Sequence, residues 1–184
     1  LRQLEGNSMN IQAFTRAISD SGGGMKEVQS LFACQREAAE RDRARFGLQE
    51  RLDSLTRLKN AIKRREGDII RALDADFRKP EPEVRLTELF PVYQEISHAR
   101  RNLKSWSKPH SVRGSLGMFG TTAQVRYQPR GVCLIIAPWN YPVNLTFGPL
   151  VSALAAGNTV MLKPSELTPA TSAVIRQIVE ETFP

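Results

Sequence analysis

An α/β fold is predicted for this chain, on three observations. Residues 132–136 (VCLII) and 159–162 (TVML) are apolar runs of strand length, rather than helix length. Between them, residues 145–156 are rich in Leu and Ala and end at Gly157-Asn158, a helix stop followed by a turn. Residues 25–110 instead carry apolar side chains at three- and four-residue spacing, the period of packed helices. Strand, helix and strand in that order make the repeat of a parallel sheet. The expected architecture is therefore a set of N-terminal helices and a β-hairpin leading into the first βαβα part of a parallel-sheet domain, incomplete at its end.

Each element has its own justification. Residues 1–24 are expected as a separate N-terminal extension: NIQAFTRAIS puts Ile11, Phe14 and Ile18 on one helical face, and Ser19 to Gly24 (SDSGGG) reads as a flexible joint. From Lys26 to about Arg45, Val28, Leu31, Phe32, Ala38 and Ala39 recur at helical spacing, and Gly47 suits the end. Leu52, Leu55, Leu58 and Ile62 line the next helix, Ile69, Leu73 and Phe77 follow a kink at Glu66-Gly67-Asp68, and Lys79-Pro80-Glu81-Pro82 closes the run. Leu86, Leu89, Phe90, Tyr93, Ile96, Leu103 and Trp106 repeat the pattern up to Lys108-Pro109, and these stripes read as core. Residues 111–120 are rich in Gly and Ser. Ala123, Val125 and Tyr127 then alternate with Gln124, Arg126 and Gln128, the period of a half-exposed strand in a hairpin spanning 111–130. Pro129-Arg130-Gly131 turns the chain into VCLII, whose unbroken apolar run predicts burial on both faces. Thr168 as N-cap and Pro169 in the first turn open a last helix that buries Ala173, Val174, Ile178 and Val179. The chain ends at Phe183-Pro184, where a third parallel strand is expected.

Composition narrows the function classes. A hydrophobic content of 41% in 184 residues suffices for a core. Two cysteines, Cys34 and Cys133, form neither a disulfide framework nor a zinc-site pattern, so no metal is expected and a reducing, cytoplasmic setting is the default. No apolar run approaches the ~18 residues of a membrane span. The net charge of +7 raises nucleic acid as a partner, but from residue 131 onward two cations face three carboxylates, so the excess lies upstream. There it is spread along helices among acidic residues (EAAERDRARF, KRREGD), which reads as a solvated face and not a nucleic-acid stripe.

The chemistry-bearing residues follow the two strands. Ala137-Pro138-Trp139-Asn140-Tyr141-Pro142 packs two prolines, two aromatics and an amide into one connection, where a plain loop carries Gly, Ser and Asp. Lys163-Pro164-Ser165-Glu166 leaves the second strand. Ligands of open parallel sheets bind outside the carboxyl ends of the strands, so both loops are expected to face one crevice. Taken singly, Asn140 suits a helix N-cap, and Lys163 with Glu166 suits an exposed surface pair. Without wider context the pattern indicates only a nucleotide or small-ligand site lacking a GxGxxG turn.

Wider context comes from the ordered series APWNYP, LVSALAAGN, TVMLKPSE and then TP opening a helix. It closely resembles the start of the cofactor domain of aldehyde dehydrogenases, most of all the class 3, fatty-aldehyde-type branch. The likeness extends from about Met25 to Pro184 and is sharpest from Gly131. It implies that residues 131–184 begin a Rossmann-like NAD(P)-binding domain, that 25–110 form the N-terminal helical region, and that the 111–130 hairpin serves subunit association in a parent that is a homodimer. By the same resemblance Asn140 matches the amide that donates to the substrate oxygen in the oxyanion hole. Ile136, Ala137, Pro138 and Trp139 match the nicotinamide side of the cleft. Lys163, Ser165 and Glu166 match the adenosine-ribose side, where a Glu favours NAD while NADP stays possible. The nucleophilic Cys, the general-base Glu and a second glycine-rich motif of the family have no match in these residues. Cys34 and Cys133 sit in the wrong places and read as small apolar residues. The chain alone is thus expected to be inactive and aggregation-prone, its aldehyde substrate handled by a full-length parent. The alternative is a non-catalytic product with a partial dinucleotide site that associates with full-length subunits.

Overall fold

The computed structural model describes residues 11–13, 23–41, 47–112, 117 and 120–183. A short strand, β1 (Ile11–Ala13), is followed by three helices, α1 (Gly23–Arg41), α2 (Leu48–Arg64) and α3 (Glu66–Phe77). A continuous helical run then passes through α4 (Glu81–Glu83), a wider π-helical stretch (Val84–Leu89) and α5 (Phe90–Trp106). The hairpin strands β2 (His110–Val112) and β3 (Ala123–Val125) lead into β4 (Val132–Ile136), α6 (Asn144–Ala156), β5 (Thr159–Lys163) and α7 (Pro169–Thr182). The βαβα unit forms as expected, with β4 and β5 parallel from Val132 opposite Thr159 to Ile136 opposite Lys163.

One core joins the helices to the sheet. Leu55, Leu58 and Ile62 of α2, Ile69 and Leu73 of α3, and Ile96 and Leu103 of α5 pack with Phe147, Leu150 and Leu154 of α6, with Val160 and Leu162 of β5, and with Ile175 and Ile178 of α7. The stripes of α2, α3 and α5 therefore meet one face of the sheet. Gly157 ends α6 at φ 84°, a conformation that L side chains avoid, and a β-carbon there would sit 3.1 Å from the Pro129 ring. Arg51 of α2 reaches back to the same helix end, its Nη1 donating to the Ala155 carbonyl at 2.9 Å.

Several expectations need correction. Ile11–Ala13 is a strand parallel to β5, with Ile11 opposite Val160, and not a helix; Phe14 and Ile18 lie outside the described residues. The free edge of β5 offers a ready ladder, whereas a short isolated helix is marginal in water. Residues 19–22 of the expected joint also lie outside, while Gly23 and Gly24 already belong to α1. The break after α2 falls at Arg65, one residue before the expected kink. On α1 the inward face carries Gln35 and Ala38, and Phe32 is exposed.

Leu86, Phe90 and Trp106 are exposed as well, although the sequence places them in a core stripe. For Leu86 and Phe90 the π-helical stretch is the reason, because its wider turn shifts the inward face to Val84, Glu88, Leu89, Val92, Ile96, Ala99 and Leu103, whereas Trp106 is the last residue of α5. In β4 burial is one-sided: Ile135 is buried, but Leu134 and Ile136 are 59% and 66% exposed. α1 packs more against β5 than against β4, and it leaves Leu134 and Ile136 exposed. β2 and β3 pair antiparallel with Ser111 opposite Gln124, but their strand ends at Val125 and Tyr127 beyond it is exposed. Two three-residue strands standing alone leave no side for burial.

Candidate functional site

The carboxyl ends of β4 and β5 lie side by side. Ile136 stands opposite Lys163, and the backbone N–H of Ala137 donates to the Lys163 carbonyl at 3.0 Å, so the ladder runs one residue beyond the strand and aligns the two loops. Ile136, Pro138, Trp139 and Asn140 are exposed there, while Ala137 is buried and contributes backbone. Both chemistry-bearing stretches thus open on one edge, as the strand order requires.

Lys163 and Glu166 form an ion pair at 2.5 Å, with Glu166 well exposed. The hydrogen bond from the Lys163 ammonium holds the Glu166 carboxyl below the usual carboxylate range. An ionised acceptor and a half-covered ammonium at a strand end suit ribose hydroxyls. Ser165 differs from its neighbours: it is buried, its Oγ accepts from the Leu167 N–H at 3.2 Å, and its carbonyl accepts from the Ser172 hydroxyl at 2.9 Å. Its side chain shapes the turn into α7.

Asn140 does not cap α6. The N-cap position is Val143, and the first amides of the helix donate to Glu88 of the π-helical stretch: Oε2 accepts from the Val143 N–H at 3.1 Å and from the Asn144 N–H at 2.9 Å. Glu88 is fully buried and its other oxygen takes a 2.8 Å bond from the Lys79 ammonium, itself buried. Lys79 also donates to the Asn140 carbonyl at 3.4 Å and lies 4.1 Å from the centre of the Tyr141 ring. The Asn140 side-chain amide has no hydrogen-bond partner among the described residues, and Asn140 is exposed.

A second carboxylate repeats the arrangement. Asp76, at the end of α3, accepts from the Ala170 and Thr171 N–H groups at 3.0 and 2.8 Å, so it caps α7 in place of Thr168, whose hydroxyl bonds Ser165 instead. Both helices that follow the strands therefore have their N-terminal amides occupied by carboxylates of the helical region. A helix N-terminus is where a pyrophosphate ordinarily docks in a dinucleotide domain, and here neither α6 nor α7 offers one.

Sequence reading missed Lys79, Glu88 and Asp76. Lys79 passed as part of a Pro-rich helix stop, and Glu88 as an ordinary acid between core positions. The available signal was a carboxylate next to Leu89 in an otherwise apolar stripe. Cys133 is partly buried and burial pushes its thiol up, away from nucleophilic use; Cys34 is exposed on α1. Among the described residues no cluster of His, Cys, Asp and Glu has the arrangement of a metal site, and no helix is long and apolar enough to cross a membrane.

Residues 18–184 match the model of the aldehyde dehydrogenase family. A 4,4'-diaponeurosporen-aldehyde dehydrogenase of Staphylococcus aureus is 44% identical over 133 residues, covering 72% of this chain and 29% of that protein. The mouse aldehyde dehydrogenase family 3 member B1 is 38% identical over 144 residues, covering 78% and 31%. Among solved structures, the substrate-bound state of Staphylococcus aureus AldH superposes with a TM-score of 0.80 at 39% identity, covering 85% of this chain and 34% of that one. The chain thus spans about a third of the length of the relatives it matches.

Proposed function

Because the chain belongs to the aldehyde dehydrogenase family, its class 3 relatives included, we propose that it forms the oxyanion-side and ribose-side front of an enzyme that oxidises an aldehyde to a carboxylic acid through a thiohemiacetal. The nucleophilic thiolate and the general base that activates water come from residues outside these 184. The observation that carries this reading is Asn140, a neutral amide just beyond the strand end, exposed and with its donor group unpartnered among the described residues. As a thiolate adds to the aldehyde carbon, negative charge grows on the oxygen. A fixed neutral donor there stabilises the developing charge without ionising, typically by about 3 kcal/mol.

Bound NAD would supply the hydride acceptor of such an enzyme. Toward it, Ile136, Pro138 and Trp139 offer apolar surface at the nicotinamide end, and the Lys163–Glu166 pair offers a donor and an acceptor for the ribose. An ionised Glu166 opposes a 2'-phosphate, so NAD is preferred over NADP, and the adjacent Lys163 softens that preference. The exposed β2–β3 hairpin suits association into a homodimer in the cytoplasm.

The test is the intact mass of the natural protein, captured through residues 26–106, with turnover of octanal or benzaldehyde in the same preparation. A mass more than twice that of this chain, with NAD-dependent acid formation abolished by Asn140→Ala, is the expected result. A natural product of 184 residues that binds full-length subunits without turnover would overturn the reading in favour of a non-catalytic partner.

A further inference from the structure

We propose that Lys79 and Glu88 are positioning residues that hold the Asn140 peptide, and so aim its side-chain amide into the crevice. This deepens the reading above and rests on it for the role of Asn140, though not for the geometry.

Four independent features converge on the pair. Lys79 and Glu88 are charged side chains that are 3% and 0% exposed, 2.8 Å apart, in a protein whose other ion pairs with both partners described lie at or near the surface. Lys79 has a looser 4.0 Å ion pair with Glu83 and lies near the Phe77 ring, but every hydrogen bond the pair makes beyond itself goes to the Asn140 loop or to the start of α6. Lys79 donates to the Asn140 carbonyl and faces the Tyr141 ring, while Glu88 Oε2 takes the Val143 and Asn144 amides. The backbone is bent to deliver both side chains. Arg78, immediately before Lys79, is the only non-glycine at positive φ among the described residues, at 56°, and Glu88 sits in the π-helical stretch that turns it inward. That stretch also accepts directly from the helix start, as Asn144 Nδ2 donates to the Thr87 carbonyl at 3.1 Å.

Stability alone does not explain such an arrangement. A buried ion pair is commonly replaced by apolar residues of similar volume with no loss of stability, because desolvating two charges offsets most of their attraction. What an apolar pair cannot reproduce is a donor to the Asn140 carbonyl and an acceptor for two helix amides. The carbonyl fixes the peptide plane that follows Asn140, and the capped helix fixes the residues three and four positions on. Between them the loop has little freedom to swing the amide away from the position where an oxyanion would form.

The experiment uses this chain with Trp106→Phe, so that Trp139, adjacent to Asn140, is the single tryptophan. Lys79→Met/Glu88→Leu removes charges, donor and acceptor together; Lys79→Met/Glu88→Gln keeps a carbonyl oxygen for the helix amides but removes the donor to Asn140. Nanosecond anisotropy of Trp139 is recorded beside thermal unfolding. The expected result is cooperative unfolding near the parent temperature in both variants, with the fast local component of the anisotropy decay about doubled, since loop tips freed of their tethers move on that timescale. Unchanged anisotropy in folded variants overturns the proposal. Loss of cooperative unfolding in both does so too, since the pair would then be needed for folding itself. In the longer dehydrogenase proposed above, Lys79→Met/Glu88→Leu is expected to lower kcat about tenfold with aldehyde KM little changed, the pattern of a contact made only in the transition state. If Asn140→Ala leaves kcat intact there, the assigned role of Asn140 fails, while the anisotropy still decides whether the pair holds the loop.

Discussion

Two asparagines in this chain show how burial separates a residue kept for chemistry from one kept for structure. Asn158 is buried after α6, its Oδ1 accepting from the Gly131 N–H at 3.0 Å and so tying the entry of β4 to the exit of the helix. Asn158→Ala would leave that partly buried donor without its acceptor, and a loss of about 1 kcal/mol is expected in urea unfolding. Asn140 is exposed with its amide unbonded, so Asn140→Ala is expected to change stability by no more than about 0.5 kcal/mol. In an active enzyme the same substitution is expected to lower kcat by about 10²–10³-fold, read under saturating aldehyde and cofactor. At the facing strand end, Glu166 is held below the usual carboxylate range by the Lys163 ammonium. A depressed folded pKa stabilises above the unfolded value and is lost as pH falls through the folded one, so this contribution fades only in acid. It is small, because the carboxylate stands in water. With Lys163→Met the Glu166 titration, followed by carboxyl carbon chemical shift, is expected to move upward; an unmoved midpoint would mean the pair does not persist in solution.

Helices and strands were legible where one rule acted alone, and illegible where tertiary partners intervened. The turn from α6 into β5 could be read from Gly157-Asn158 because only glycine suits φ 84° beside the Pro129 ring. Pro169 likewise marked the start of α7 through its own backbone chemistry. Leu86 and Phe90 were misread because a stripe projected at constant helical pitch does not anticipate a π turn, which answers the need to bring Glu88 inward. The caps of α6 and α7 were invisible for a related reason. Their carboxylates, Glu88 and Asp76, lie 55 and 94 residues before the amides they accept, and local capping rules look only at neighbouring positions. This has a measurable consequence. Asp76→Ala removes both oxygens from the first turn of α7, and a destabilisation of about 1–2 kcal/mol is expected from urea unfolding, as for the loss of a strong N-cap. Thr168→Ala should cost less, since its hydroxyl makes only a 3.4 Å contact with the Ser165 carbonyl.

On the scale of the whole molecule, the sheet is packed on one face by the helical core and only partly covered on the other, where α1 lies mainly against β5. Val160, Leu162 and Ile135 pack into the helical core, whereas Leu134 and Ile136 are exposed, and among the described residues no strand pairs with the outer side of β4. An apolar edge strand with free backbone groups is a template for pairing with another chain. The expectation of aggregation read from the sequence thus acquires a location, the outer half of β4. Leu134→Thr tests it with little risk to the fold: the residue is 59% exposed, threonine has the β-branched shape favoured in strands, and the core face of β4 is untouched. Light scattering across a concentration series is expected to show less association in the variant, with circular dichroism and unfolding midpoint unchanged. The matching control is Phe32→Ser on α1, another exposed apolar residue that is remote from the edge in sequence and carried on a helix. If both substitutions reduce association equally, general surface hydrophobicity drives it and the open strand has no special part. If only Leu134→Thr does, the sheet itself is the contact, and any further residues of the protein that cover β4 would suppress association and complete the crevice around Ile136 together.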